Sequence, residues 1–170
     1  MLVSTGLGID GPLKNTEVLN LDSKNALVPT YQNHKTSIYG AIGGFVSNQF
    51  ITCGGYDFDN WEGTTNKCYK IGKTSSSLHG FMREKRKHAA SIVLDGKLWI
   101  LGGRNDYIYN SWKSTEYISH DGSQEDGPDL PVSLDDHAAI QINGTHFMVV
   151  GGHARFDVKM HTNCFFSRHM

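Results

Sequence analysis

A double glycine that follows a short apolar run recurs through this 170-residue chain at a nearly constant spacing. The three copies are Gly54-Gly55, Gly102-Gly103 and Gly151-Gly152, so successive copies lie 48 and 49 residues apart. One more step of 48 towards the N-terminus reaches Gly6, which also follows a short apolar stretch. A repeat of this length is typical of tandem arrays in which each repeat forms one supersecondary unit.

A β-hairpin is predicted before each double glycine. In the clearest copy, the runs 90–94 and 97–101 are rich in β-branched and aromatic residues and flank Asp95-Gly96. That dipeptide favours a type I′ turn between antiparallel strands. Asn143-Gly144 holds the same place in the third copy, and Ser47-Asn48 holds it in the first.

A polar loop and another short strand follow each glycine pair. The expected third strands are the segments 15–19, 66–71, 114–118 and 162–166. With a less regular fourth strand, the unit has about four short strands in some 50 residues, which is typical of a propeller blade. The glycines are interpreted as structural, because they permit positive φ and close backbone approach, and no phosphate-binding helix follows them.

These residues resemble the kelch repeat. The resemblance rests on the apolar strand ending in Gly-Gly, on Glu116-Tyr117, and on the segment 82–90, and the copy from Lys87 to Tyr117 carries it best. The tryptophan that kelch repeats usually carry after the tyrosine does not follow Tyr117. The resemblance implies an all-β, partial β-propeller of four-stranded antiparallel kelch-type blades, as one region over residues 1–170.

Two histidines match the family's position ahead of the first strand of a repeat. His88 and His137 each lie 14 residues before their double glycine, and we expect them to pack or cap at the start of that strand.

The ring that the resemblance implies would be incomplete, with unfinished first and last blades. In the kelch family, which this chain resembles, the blades form closed rings of five to seven. Four partial blades would leave sheet edges open. We therefore expect a fragment of a longer polypeptide. The alternative is that two copies associate to complete a ring, and the isolated chain would self-associate through its open blade edges.

Charge and cysteine usage exclude several classes of function. The chain has 16 Lys+Arg and 17 Asp+Glu without a long block of either, so nucleic-acid binding and membrane-surface binding are not indicated. The N-terminus lacks a secretory signal, and no apolar run approaches the ~20 residues of a membrane span. Cys53, Cys68 and Cys164 are expected to be free thiols in the cytoplasm. The alternative is a disulfide between Cys53 and Cys68, which would lie on adjacent strands and would need Cα atoms within ~7 Å. The glycosylation sequon at Asn143 is explained by the hairpin turn.

No catalytic, cofactor or metal site is predicted. The nine histidines are scattered, and no nucleophile elbow, zincin helix or Walker loop is present. The enzymatic alternative is a propeller resembling galactose oxidase, whose copper would need converging tyrosine and histidine ligands. A third possibility is a purely structural repeat module.

The loops after the double glycines are the predicted binding surface. They span residues 56–65, 104–114 and 153–161 and are rich in the residue types that dominate protein interfaces. The candidate partner-binding residues are Tyr56, Trp61, Arg104, Tyr107, Trp112 and Arg155. The competing interpretation is that these aromatic side chains pack between blades.

A protein partner is thus expected, and no cofactor. The kelch resemblance implies recruitment of substrates to cullin-based ubiquitin ligases, or actin binding. An adaptor role would require BTB and BACK regions that these 170 residues do not contain.

Overall fold

The computed structural model describes residues 2–8, 11–18, 36–59, 63–106, 111–154 and 165–168. The regular structure in these ranges is entirely β-strand, and no helix in them could cross a membrane. The strands in chain order are β1 (Leu2–Gly8), β2 (Gly11–Val18), β3 (Ile38–Tyr39), β4 (Ile42–Val46), β5 (Gln49–Cys53), β6 (Tyr56–Asp57), β7 (Gly63–Thr64), β8 (Lys67–Ile71), β9 (Ser76–Phe81), β10 (Ala90–Leu94), β11 (Lys97–Leu101), β12 (Thr115–Ile118), β13 (Gln124–Asp126), β14 (Ala138–Gln141), β15 (His146–Val150) and β16 (Phe165–Arg168).

Four antiparallel sheets follow one another along the chain, and we number them as blades 1 to 4. Blade 1 is β1-β2, blade 2 is β4-β5-β8-β9, blade 3 is β10-β11-β12-β13, and blade 4 is β14-β15-β16. A small sheet, β3-β6-β7, accompanies blade 2. The first strand of blade 3 contacts the first strands of blades 2 and 4, so these strands lie closest together. The chain therefore folds as a partial β-propeller, as the sequence predicts.

The hairpin prediction is confirmed for two copies. Asp95 and Gly96 have φ of 51° and 68°, and Ser47 and Asn48 have φ of 45° and 66°, the positive pair that a type I′ turn requires. Strand pairing agrees, since Leu94 lies opposite Lys97 and Val46 lies opposite Gln49.

The third hairpin differs from the prediction. Gln141 pairs with Phe147, and the amide of Ile142 donates to the carbonyl of His146. The loop therefore has three residues, 143–145, and is closed by the Asn143 side chain, which accepts from the Thr145 amide at 2.9 Å. The type I′ turn expected at Asn143-Gly144 is wrong, and this extra residue accounts for the step of 49 instead of 48.

The double glycines take positive φ and lie against the following blade. Gly54 and Gly102 have φ of 66° and 58°. A Cβ atom on Gly102 would lie 2.5 Å from the carbonyl oxygen of Leu134, at the entry to blade 4. The positive φ and the lack of space for a Cβ atom both favour glycine at these positions. At the fourth repeat mark, Gly6, the strand does not end, because β1 continues to Gly8.

Two apolar clusters fill the spaces between successive blades. Val46 and Ile51 of blade 2 pack with Leu98, Ile100 and Ile118 of blade 3, and all five side chains are nearly inaccessible.

The second cluster lies between blades 3 and 4. Trp99, Leu101 and Tyr117 of blade 3 pack with Phe147 and Val149 of blade 4, and the Trp99 and Tyr117 rings are 4.8 Å apart. Strands buried on both faces explain the nearly continuous apolar runs in the sequence.

The expectation of free thiols at Cys53 and Cys68 is wrong. These residues lie directly opposite each other on β5 and β8 and form a disulfide, with their Cα atoms 4.0 Å apart. The amide of Gly54 donates to the carbonyl of Lys67, which makes the cysteines a non-hydrogen-bonded pair, the closer of the two antiparallel pairings. The disulfide closes the base of the loop between β5 and β8. Cys164 lies outside the described residues.

Candidate functional site

The segments that enter and leave the double glycines meet at one end of the blades. We call this end the loop face; within the described residues it comprises 54–59, 63–66, 82–89, 102–106, 111–114, 127–137 and 151–154. Antiparallel bridges join Tyr39 to Tyr56, Lys87 to Arg104, and Asp135 to His153. These three pairs hold the same place in blades 2, 3 and 4, and we call them the inner layer.

A backbone ladder fixes the position of the inner layer. The His88 amide donates to the Gly40 carbonyl at 3.0 Å, and the Asp136 amide donates to the His88 carbonyl at 3.0 Å. All three residues have positive φ, of 67°, 54° and 53° in chain order. Gly40, His88 and Asp136 therefore hold the same structural position ahead of the first strands of blades 2, 3 and 4.

The predicted equivalence of His88 and His137 is wrong. The three-residue loop at 143–145 shifts the alignment by one residue, so His137 falls where Ala41 and Ala89 lie. Desolvation lowers the pKa of the His137 imidazole to about 4, although the carboxylates of Asp135 and Asp136 act in the opposite direction.

Lys87 is enclosed by aromatic rings and a carboxylate. Its side chain is 4% exposed, and its Nζ donates to the Tyr39 hydroxyl at 2.7 Å and lies 4.9 and 5.0 Å from the Tyr39 and Tyr56 ring centroids. It also forms an ion pair with Asp106, which accepts from the Thr64 hydroxyl at 2.5 Å. Desolvation alone would raise the pKa of Asp106, but these two donors lower it overall.

Arg104 lies beside the next inner-layer pair. Its Nε is 2.8 Å from Oδ2 of Asp135, a fully buried carboxylate that also accepts from the Ser111 hydroxyl at 2.6 Å. Cation and carboxylate thus link blade 3 to blade 4, as Lys87 links blade 3 to blade 2.

Asp136 lies between two histidines at the outer end of the ladder. One carboxylate oxygen is 2.7 Å from Nδ1 of His88, and the other is 3.8 Å from Nδ1 of His153, whose side chain is 55% exposed. Within the described residues, no group of three or more side chains is arranged to hold a metal ion.

A buried ion pair fixes the two ends of the 102–114 loop, Gly102 and Ser114. Arg86 donates to the carbonyls of Gly102 and Ser114 at 2.7 and 2.9 Å, at the two ends of that loop. It also donates to Glu116 at 2.7 Å, and both charged side chains are completely inaccessible. The second Glu116 oxygen accepts from the Arg83 amide, so Glu116 bonds to the segment 82–89 through two of its residues.

The predicted site residues separate into three groups. Tyr56 and Arg104 lie at equivalent inner-layer positions on the loop face. Trp112 is half-buried, and its backbone bonds to Gly103 and Leu134, which places it between blades 3 and 4. Trp61, Tyr107 and Arg155 lie outside the described residues.

Sequence reasoning missed the partners that hold these residues. Lys87 and Asp135 were not candidates, yet Lys87 contacts Tyr56 and Asp135 contacts Arg104. Asp106, which was not a candidate either, pairs with Lys87. A signal existed in the spacing, because Tyr39, Lys87 and Asp135 recur at steps of 48.

The architecture has a solved counterpart. The chain aligns with the structure of YjhT with a TM-score of 0.77 at 14% identity, covering 96% of this chain and 60% of that one. At this identity the similarity concerns the fold alone, and it supports a β-propeller with consecutive four-stranded blades.

The sequence comparisons specify the type of repeat. The chain is 26% identical over 131 residues to "Kelch repeat and BTB domain-containing protein 2" of cowpox virus (strain GRI-90 / Grishak). It is 28% identical over 125 residues to the protein of the same name from ectromelia virus (strain Moscow). No protein-family model matches. With the Gly-Gly repeat and the blade order, these similarities support a kelch-repeat β-propeller.

The chain corresponds to a small part of these relatives. The alignments cover 75% and 69% of this chain but only 22% and 21% of the two viral proteins.

Proposed function

We propose that this chain is a protein-interaction module that binds its partner through the loop face. The observation that carries the proposal is that Tyr56, Arg104 and His153, none of which is fully buried, hold equivalent inner-layer positions in three blades on a fixed backbone ladder. Rigid scaffolds with variable polar and aromatic loop positions favour specific recognition. The name of the relatives, which pairs kelch repeats with a BTB domain, supports a role as the substrate-recognition part of a larger adaptor.

The proposed contact surface includes both the inner layer and the loops next to it. Tyr56 and Arg104 would contribute from the inner layer, and Trp61, Tyr107, Trp112 and Arg155 from the loops that follow the double glycines. We propose one kelch-repeat region over residues 1–170 with a protein partner, and no nucleic-acid or membrane ligand. The balanced charge of the chain supports this choice.

A quantitative affinity-enrichment experiment tests the proposal. Tyr56→Ala and His153→Ala change the loop face, while Ser75→Ala changes an exposed turn at the opposite end of blade 2. Proteins recovered with the wild-type chain should fall about tenfold or more with the loop-face variants and stay constant with Ser75→Ala. Equal recovery with all three variants would contradict binding through this face.

We propose that the chain is not an enzyme. The cations of the inner layer are engaged by carboxylates, Lys87 with Asp106 and Arg104 with Asp135, which favours a structural and recognition role for them. The galactose-oxidase-like alternative is tested by measuring the copper content of the chain after copper loading and dialysis. Retention of one equivalent would contradict the proposal.

A cytoplasmic location is proposed from the sparse, odd number of cysteines. Cys53 and Cys68 are 1% and 0% exposed, so their disulfide would be shielded from cytosolic thiols. Cell fractionation of the tagged chain tests this location, and recovery in a secretory compartment would contradict it. Self-association of the isolated chain through its open blade edges is also proposed.

A further inference from the structure

The loop between β14 and β15 holds the groups of an intramolecular reaction next to one another. Asn143-Gly144 is the one Asn-Gly pair in the sequence, and both residues are exposed in the three-residue loop 143–145. The side-chain carbonyl carbon of an asparagine and the backbone nitrogen of the next residue can close a five-membered ring. Glycine favours this closure, because it has no side chain to shield its nitrogen.

The attacking and leaving nitrogens are both free in this loop. Among the residues that the structure describes, the Gly144 amide has no hydrogen-bond partner, and a Cβ atom on Gly144 would meet nothing within 4 Å. The adjacent amides of Ile142 and Asn143 are engaged instead, because both donate to the His146 carbonyl. The side-chain nitrogen of Asn143 also has no partner in the described part of the chain.

The side-chain carbonyl of Asn143 is held and polarised by its neighbours. Its Oδ1 accepts from the Thr145 amide at 2.9 Å and from the Thr145 hydroxyl at 3.1 Å, and it lies 3.1 Å from Nδ1 of His146. Hydrogen bonds to a carbonyl oxygen stabilise the negative charge that develops there when a nucleophile attacks its carbon. The same bonds fix the side chain against the following backbone, which removes part of the entropy cost of ring closure.

We propose that Asn143 is a site of self-modification, at which this loop converts asparagine into aspartate and isoaspartate. The Gly144 nitrogen loses its proton to solvent and bonds to Cγ of Asn143, while Nδ2 takes up a proton and leaves as ammonia. A water molecule then opens the cyclic imide at either carbonyl carbon. The balance is one asparagine and one water giving one acidic residue and one ammonia, without any redox change. This inference is independent of the proposed loop-face function.

The modification would change the hairpin of blade 4 and not the loop face. Both products add a negative charge to the loop, and isoaspartate also lengthens the main chain by one carbon. The longer chain would disturb the bonds from Ile142 and Asn143 to His146, and with them the pairing of Gln141 with Phe147. The loop lies at the start of β15, whereas the double glycine of the loop face follows its end.

Peptide mass spectrometry of the full chain, incubated at neutral pH and physiological temperature and digested in acid, measures the conversion. Isoaspartate is measured separately by methyl transfer with protein isoaspartate methyltransferase. Asn48 is the internal control, because it is exposed in the equivalent turn of blade 2 but precedes Gln49, which has a side chain and pairs with Val46. Asn143 should convert about tenfold or more faster than Asn48, and Gly144→Ala should slow the conversion at Asn143 by a similar factor.

A comparison with the unfolded chain separates the loop structure from the dipeptide. Conversion at Asn143 should be faster in the native chain than in the same chain unfolded in guanidinium. Thr145→Val, which removes one donor to Oδ1, should slow the native rate about threefold or more and leave the unfolded rate unchanged.

Three results would overturn the proposal. These are equal rates at Asn143 and Asn48, an unchanged rate in Gly144→Ala, and a native rate below the unfolded one, which would show that the loop protects Asn143. Partner recovery with the fully converted chain reports on the loop face separately, since the modified loop lies outside it.

Discussion

Removing the charge of Glu116 should destabilise the chain more than any surface substitution. Glu116 and Arg86 are completely inaccessible, and both Glu116 oxygens accept hydrogen bonds, from the Arg86 guanidinium and from the Arg83 amide. Glu116→Gln keeps the shape but replaces one acceptor by a donor and leaves a buried guanidinium without its counter-ion. Breaking a buried pair in this way costs about 3–5 kcal/mol. Folded domains are commonly stable by only about 5–15 kcal/mol, so the loss is a large fraction.

The measurement is urea unfolding followed by Trp fluorescence, since Trp99 is buried beside Tyr117. Arg83→Gln is the matched control, because it breaks the Arg83–Asp126 pair, whose side chains are 43% and 52% exposed. Exposed pairs contribute about 0–1 kcal/mol. A free energy of unfolding that falls equally in Glu116→Gln and Arg83→Gln would refute the claim that the buried ion pair holds the two ends of the loop, Gly102 and Ser114.

Three further predictions concern the glycines, the disulfide and a buried histidine. Gly102→Ala should lower the free energy of unfolding by about 2 kcal/mol or more, because φ of Gly102 is 58° and a Cβ atom there would contact Leu134. Gly144→Ala is the control and should be neutral or stabilising, because Gly144 has no positive φ and a Cβ atom there would meet nothing within 4 Å. Equal losses of stability in the two variants would contradict the role of the double glycine. Alkylation under denaturing conditions should add one group without reductant and three after reduction, whereas three without reductant would contradict the Cys53–Cys68 bond. The folded-state pKa of His137 is about 4 and the unfolded value is near 6.5, so the unfolded state binds more protons between these two pH values, and the free energy of unfolding should fall by ~2–3 kcal/mol as the pH drops from 6.5 to 4. His137→Ala introduces the residue found at the equivalent positions 41 and 89 and should remove this part of the pH dependence. A pH profile that is unchanged in His137→Ala would contradict the prediction.

The repeat framework could be predicted from sequence because each of its signals is local. Asp95-Gly96 specifies its turn within four residues, and the apolar runs report burial on both faces of a strand. The double glycines are required by backbone conformation and by the adjacent blade, so they recur wherever the same packing recurs.

Prediction failed where one residue changed the alignment. The loop at 143–145 is one residue longer than its equivalents, and counting back from Gly151 therefore paired His137 with His88. The correct equivalent is Asp136, which the backbone ladder identifies through its bond to His88. Asn143-Gly144 fits either a type I′ turn or a loop closed by the Asn143 side chain, so this dipeptide did not distinguish between the two.

Local sequence signals also could not predict the contacts between blades. Lys87 meets Tyr39, 48 residues earlier, and Arg104 meets Asp135, 31 residues later. The Cys53–Cys68 bond depends on the register between β5 and β8, which the intervening loop does not reveal. The candidate face could therefore be located from the loops, but its charged partners could not.

The most direct test of loop-face binding is site-specific photo-crosslinking in cells. The photoreactive amino acid p-benzoylphenylalanine is placed at position 153, where the native side chain is 55% exposed on the loop face, and separately at position 75, in the exposed turn at the opposite end. Binding through the loop face predicts a covalent adduct to a partner protein from position 153 and none from position 75. An adduct from position 75 with none from position 153 would contradict it.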